Sequence, residues 1–238
     1  MPQECAAQSD VAGAIAAAGW AVTPPVLAEQ RIDALLAALT PAANERRGRG
    51  GVRNLLESCP AVRSLAMAAE VRAIPEAVLG PTCFAVRAIL FDKTPAANWK
   101  VIWHQDLTIA VRARAETPGF GPWSEKDGVV HVQPPAALFD RMLAVRVHLD
   151  DCGPENGPVR VLEGSHAEGR LSNARVEAWR ALSTPVDCVA KRGAILAFRP
   201  LILHASSPAR VPAHRRVLHF EFAVDPLPDP LEWNSRVA

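Results

Sequence analysis

Through the first eighty residues apolar positions recur at intervals of three and four, as in Arg31-Ile-Asp-Ala-Leu-Leu-Ala-Ala-Leu39 and Val62-Arg-Ser-Leu-Ala-Met-Ala68. That is the spacing of one helix face, so residues 1–80 are predicted to be mostly helical. Pro24-Pro25 and Gly48-Arg-Gly-Gly51 break the helices apart. From about Thr82 the pattern shifts to short runs of β-branched and apolar residues bounded by Pro, Gly, Asn and Asp. The predicted strands are Phe84–Phe91, Val101–Val111, Met142–Leu149, Val159–Leu162, Ala194–Phe198 and Arg216–Ala223. Short strands behind a helical N-terminal layer predict an α+β, mainly β arrangement on an antiparallel sandwich or barrel. Two segments lack strand character, 112–135 and 167–186, the second with a helical piece around Ala174–Ala181. Their length and apolar content suit lids over a site.

Composition narrows the function more than the fold. A chain of 238 residues, 49% of them apolar, is expected to form a single domain (1–238), with residues 82–223 as its β core. Its 26 basic and 25 acidic side chains leave a net charge of +1. No broad field draws phosphate backbones or anionic lipid, so the expected partners are small molecules, with no nucleic acid and no membrane. The longest apolar stretch, Gly13–Val22, is far shorter than the roughly 20 residues a membrane helix needs, and a cytoplasmic location is expected. Five cysteines without a C-x-x-C pair (Cys5, Cys59, Cys83, Cys152, Cys188) are read as reduced thiols filling the core. The 21 prolines imply many short elements, and with no tyrosine no phenol serves as acid, base or ligand. Oligomeric state is left open.

The motif with chemistry in it is Trp103-His104-Gln105-Asp106, inside a predicted strand. Side chains two apart on a strand share a face, so His104 and Asp106 can converge on one ion. One hundred positions later, Leu201-Ile-Leu-His204 delivers another imidazole from an apolar strand end. Two histidines and one carboxylate make the facial triad of non-haem iron(II) oxygenases, which leaves coordination positions open. Arg215 follows eleven residues beyond His204.

These features sit with Leu149-Asp-Asp-Cys-Gly-Pro-Glu-Asn-Gly-Pro158, Glu163-Gly-Ser-His166, Gly193-Ala-Ile-Leu-Ala-Phe198 and His204-Ala-Ser206. Together they resemble the phytanoyl-CoA dioxygenase family of iron(II)/2-oxoglutarate oxygenases, over nearly the whole chain to about Ala223. The resemblance implies a double-stranded β-helix, a cupin-like jelly roll with N-terminal helices packed outside one sheet. It implies iron(II) held by His104, Asp106 and His204, and the distal carboxylate of 2-oxoglutarate held by Arg215 and Ser206. Alternation favours Arg215 over Arg216, because Arg215, Val217, His219 and Glu221 share the more polar face. Lys93 and Trp103 are implied to help shape the co-substrate pocket. The implied reaction takes dioxygen, releases succinate and CO2, and hydroxylates an unactivated C–H bond of a small organic molecule. Asp106 favours hydroxylation over halogenation, which needs a small residue at that position.

Arg146 and His148 fall on one face of a predicted strand, either meeting a polar substrate group at the barrel mouth or lying on a solvated surface. Trp123 in the first lid is a candidate cover for substrate. Glu155-Asn156-Gly157 and His166 read as turn residues, and His131 and His214 as surface residues. The alternative functions are a catalytically silent, cupin-like metal-binding jelly roll and a metalloenzyme that does not use 2-oxoglutarate, which leaves Arg215 and Ser206 unexplained.

Overall fold

Helices form where the three-and-four spacing is strongest. The computed structural model describes the backbone of residues 2–44 and 51–238 and the side chains of residues 10–43 and 51–238. Helix α1 (Pro2–Ala18) leads into strand β1 (Trp20–Val22), then α2 (Glu29–Asn44), α3 (Leu55–Ser58), α4 (Pro60–Ala66) and α5 (Ala69–Leu79). The breaker Gly48–Gly50 and the Cys5 thiol lie outside the described residues. Strands follow: β2 (Phe84–Lys93), β3 (Val101–His104), β4 (Ile109–Val111), β5 (Trp123–Lys126), β6 (Val129–Val132), β7 (Met142–His148) and β8 (Val159–Leu162). Helix α6 (Asn173–Leu182) then precedes β9 (Val186–Cys188), β10 (Ile195–Phe198), β11 (Leu203–Ser206) and β12 (Arg215–Ala223).

Two antiparallel sheets build the jelly roll, a five-stranded one in the order β1-β10-β7-β12-β2 and a four-stranded one in the order β3-β11-β8-β9. Neighbours such as β1 and β10 lie far apart in the chain, the crossover pattern of this fold. Alternation decides what each face carries. Leu143, Val145 and Val147 of β7 and Leu218, Phe220 and Phe222 of β12 pack outward against Ile15, Ile32, Leu35, Leu65 and Val71 of the helices. On the inner side Ala144, Leu196 and Phe198 meet Val159, Val161 and Ile202 across the sandwich. The helices therefore seal the outer face of one sheet and leave its inner face to the cavity.

The structure corrects the sequence-based strand map in two places. The predicted strand Val101–Val111 is broken: β3 stops at His104 and β4 starts at Ile109, because in the gap Asp106 N–H donates to Pro200 O (2.9 Å) instead of to a ladder partner. The segment 112–135, read as lacking strand character, contains the hairpin β5–β6, with Lys126 opposite Val129 across a two-residue turn. Its signal is Asp127-Gly128, both at positive φ (51° and 76°), the pair that a tight hairpin turn favours. The hairpin joins β4 in a third sheet, β4-β6-β5. Strands β1 and β9, three residues each, are too short to show a period. His131 on β6 is buried, not a surface residue; His214 is exposed and hydrogen-bonds Asp92. Cys59, Cys83, Cys152 and Cys188 are free and buried. Among the described residues no helix is long and apolar enough to cross a membrane.

Gln105, between His104 and Asp106, ties these layers together. Its amide donates to Gly169 O (2.7 Å) and Leu201 O (2.6 Å), and its Oε1 accepts from Leu171 N–H (2.8 Å). One side chain thus fastens the 169–171 connection to the end of β3 and to the residues leading into β11. Gln105→Ala deletes three hydrogen bonds, each contributing about 1 kcal/mol. Amide exchange at Leu171 should accelerate by about tenfold or more, and an unchanged rate would refute this clamp.

Burial holds the His131 imidazole down to about 4, from its usual 6.5, against the opposing effect of its contact with Val129 O. Between those values the unfolded chain binds a proton that the native state refuses, so stability is full above pH 6.5 and falls as pH drops toward 4. Urea melts at pH 7 and pH 4.5 should show a smaller loss for His131→Gln than for the wild type. Equal losses would remove His131 from the acid response.

Candidate metal centre and active-site cavity

A cavity of about 390 Å³ opens between the inner faces of the sheets. In the pairing of β3 with β11, His104 lies directly opposite His204. The register slips before the next pair, Val101 with Ser206, so residues three apart on β3, Val101 and His104, both reach the cavity. The two imidazole rings stand 4.2 Å apart, centroid to centroid. Asp106, in the break after β3, sends Oδ1 to 3.8 Å from His104 Nε2 and Oδ2 to 3.7 Å from His204 Nε2. Convergence is thus achieved by a loop carboxylate beside a strand histidine, not by two positions of one strand.

The donor set fits a metal ion. Each imidazole Nδ1 faces the carbonyl two residues back, Ile102 O at 2.8 Å and Ile202 O at 3.0 Å. Nδ1 therefore carries the proton and Nε2 offers a lone pair to the centre of the trio. His204 Nε2 is buried without a hydrogen-bond partner, an orphan acceptor that a cation would satisfy. Burial pushes the His204 imidazole down to about 3, so it is neutral and able to ligate at neutral pH. Burial alone would raise the Asp106 carboxyl, yet His204 and His104, with His219 and Arg146 behind them, hold it well below the usual range. The ligand atoms of His104, Asp106 and His204 all lie within 4.8 Å of one another. The ligand atoms of Asp106, His219 and Glu221 also lie within 4.8 Å of one another but suit a metal less well. His219 Nδ1 accepts from Arg146 Nε (3.1 Å), which leaves the proton on Nε2 facing Glu221 (3.5 Å), and Glu221 is ion-paired with Arg87.

Arg215, at the start of β12, is buried and lines the same cavity. Its Nη1 donates to Gly157 O, its Nε has no partner, and no carboxylate ion-pairs with it among the described residues. Gly157, in the turn read from Glu155-Asn156-Gly157, sits at φ 62°, where a Cβ would lie 2.3 Å from Ser207 O, so glycine is required. Ser206 Oγ donates to the same Gly157 carbonyl (3.1 Å) and accepts from Lys93 Nζ (2.6 Å). Lys93 also donates to Ser207 O (2.5 Å). It is fully buried behind Ser206, and burial, then neighbouring Arg215, brings its ammonium down to about 7.

The remaining candidates divide. Arg146 lines the cavity, with its guanidinium 5.1 Å from the Phe198 ring and 5.6 Å from the Phe91 ring. His148 faces inward but does not line the cavity. It is buried, neither ring nitrogen has a partner, and desolvation with Arg215 nearby lowers it to about 3. The solvated-face reading of this pair is thus incorrect. Trp103 lies outside the cavity lining, its ring 5.6 Å from the Arg160 guanidinium, because alternation turns it away from the side His104 faces. Trp123 does not line the cavity either and packs against Arg114, 5.5 Å from the ring. Sequence reasoning missed Arg53, Arg87 and Lys126, which do line it. Arg87 was legible in principle, two positions from Ile89 and four from Phe91 on one face of β2, whereas Arg53 and Lys126 arrive from segments with no periodic signal.

Three solved structures of similar fold align over most of the chain. They are the non-haem α-ketoglutarate-dependent carbocyclase SnoK from nogalamycin biosynthesis (TM-score 0.70, 18% identity, 90% of this chain and 83% of that one), the epimerase SnoN in complex with Fe3+, α-ketoglutarate and nogalamycin RO (TM-score 0.70, 17% identity, 95% and 92%), and EctD from S. alaskensis in its apoform (TM-score 0.70, 18% identity, 92% and 78%). At such identities the likeness speaks for the fold. No curated protein sequence matches. Residues 15–217 match the phytanoyl-CoA dioxygenase family, and with that match spanning most of the chain, the protein belongs to this jelly-roll family of non-haem iron, 2-oxoglutarate-dependent enzymes.

Proposed function

We propose that His104, Asp106 and His204 hold iron(II), that Arg215 and Ser206 hold the distal carboxylate of 2-oxoglutarate, and that the protein hydroxylates a C–H bond of a small organic molecule. The observation that carries this reading is the buried, unpartnered Nε2 of His204 converging with His104 and an ionised Asp106. When bound, iron and 2-oxoglutarate supply, with dioxygen, the oxidation of C–H to C–OH, balanced by conversion of 2-oxoglutarate to succinate and CO2.

The chain's own part is positioning. The Ile102 and Ile202 carbonyls keep both imidazole lone pairs on the metal side. Arg215 presents a buried guanidinium whose free Nε–H matches a carboxylate oxygen. Lys93 orients the Ser206 hydroxyl by donating to its oxygen, which is a positioning role and not a direct contact with the cavity. Phe91 gives the cavity an apolar wall, and Phe198, 5.0 Å from the His204 ring, packs against that ligand. Arg146 is the substrate-facing candidate among the residues singled out from sequence; His148, Trp123 and Trp103 do not reach the cavity. The free, buried thiols of Cys59, Cys83, Cys152 and Cys188 among the described residues support action in a reducing compartment, the cytoplasm.

Anaerobic protein given iron(II) and 2-oxoglutarate should develop the visible charge-transfer band of a chelated keto acid, and properly metallated protein without that band would overturn the reading. Arg215→Ala should weaken 2-oxoglutarate binding by about thirtyfold or more, as expected for loss of a buried charge partner. Iron affinity should change much less, and parallel losses in both would reject the role given to Arg215.

A further inference from the structure

Cations line both ends of the cavity, with Arg146 between them beside His219. On β2, Lys93 pairs with Arg215 of β12, and six residues earlier Arg87 pairs with Glu221, about 20 Å away along the strands. The end opposite Arg215 is lined by three cations from separate parts of the chain: Arg53 before α3, Arg87 on β2 and Lys126 on the β5–β6 hairpin. His219 and Asp106 lie between the two ends.

These cations are incompletely matched. Arg87 is ion-paired with the buried Glu221. Arg53 reaches Asp127 Oδ2 only at 3.4 Å, and that carboxylate is 62% exposed. Lys126 Nζ donates to Thr108 Oγ1 (2.9 Å) and has no carboxylate in ion-pair range among the described residues. Three cations facing two carboxylates leave one positive charge uncompensated. Independently of charge, the Nε of Arg53 and the Nε of Arg87 are buried with no acceptor. Both side chains line the cavity, and each carries a donor that the fold leaves without an acceptor. Burial, with Arg87 and Arg53 close by, also lowers the Lys126 ammonium, which shows how crowded the cluster is.

We propose that this end of the cavity binds a carboxylate of a compact substrate, held by Lys126 and by the guanidinium groups of Arg53 and Arg87. The assignment of that ligand as the substrate rests on the iron and 2-oxoglutarate reading of the rest of the cavity. A single uncompensated charge suits a monoanionic carboxylate better than a dianionic phosphate. With one carboxylate at Arg215 and another at Lys126, the substrate's carbon skeleton spans the middle, where Asp106 and the two histidines converge. A cavity of about 390 Å³ shared by co-substrate and substrate favours a compact molecule.

The test titrates small carboxylic acids (benzoate, phenylacetate, 3-phenylpropionate), each against its uncharged primary amide, into anaerobic protein loaded with iron(II) and 2-oxoglutarate, with binding read by calorimetry. Acids should bind about tenfold or more tightly than their amides, the scale of a charge-assisted hydrogen bond. Lys126→Gln and Arg53→Gln should each erode that preference while 2-oxoglutarate affinity stays unchanged; Arg87 is left intact because its substitution would strand Glu221. Equal binding of acid and amide, no acid binding, or a preference that survives both substitutions overturns the proposal. The same titration on metal-free protein separates the two readings: acid preference there, combined with no charge-transfer band after iron and 2-oxoglutarate are added, would overturn the dioxygenase reading and leave the anion site standing.

Discussion

Everything at the centre of this protein depends on one strand register, the pairing of His104 with His204 across β3 and β11. A slip of one residue would turn His204 to the other face and replace it with Ala205. The register is bracketed by polar contacts at both ends of β11. At its start, Ser165 Oγ accepts from Leu203 N–H (2.8 Å) while donating to Leu162 O (2.6 Å), and Gln105 holds the Leu201 carbonyl. At its end, Ser206 is fixed by Lys93 and by the Gly157 carbonyl that also receives Arg215. These groups are buried, so leaving any of them unpaired costs more than the bond itself contributes. The metal trio and the carboxylate-binding arginine are thus ends of one buried hydrogen-bonded frame.

Burial also sets the protonation of this frame. His204 and His148 are held neutral by desolvation, the buried Lys93 ammonium is brought down to about 7 and gives up its proton more readily than an exposed lysine, and Asp106 stays ionised. Arg146 is lowered by burial only to about 10, so it remains charged while stacked between Phe91 and Phe198. A chain with a net charge of +1 therefore contains a cavity in which cations outnumber carboxylates. Global neutrality and local polarity coexist because the cavity walls come from strands whose opposite faces are apolar.

Much of this was legible from residue order. Alternation on β12 assigned Arg215, His219 and Glu221 to one face and Leu218, Phe220 and Phe222 to the other, and the structure puts the first set inward and the second against the helices. The helical layer is equally local in origin. What periodicity could not reveal were the places where hydrogen bonding leaves the ladder. The break at 105–108 arises from a distant Pro200 carbonyl and from the contacts of Gln105, and the inward turn of Val101 beside His104 arises from a register slip. His131 looked like a surface residue because nothing next to it shows that β6 is the central strand of a sheet, between β4 and β5.

The sequence by itself determined the helical layer, the longer strands such as β2, β7 and β12 with their buried faces, and the residue types able to bind a metal and a carboxylate, because these follow from side-chain period and donor chemistry. Only the tertiary structure decided which of those residues meet. Trp103 and Trp123 were excluded from the cavity, and Arg53, Arg87 and Lys126 were admitted. The physical reason is that strand order and register join residues more than a hundred positions apart, and no local pattern encodes that pairing.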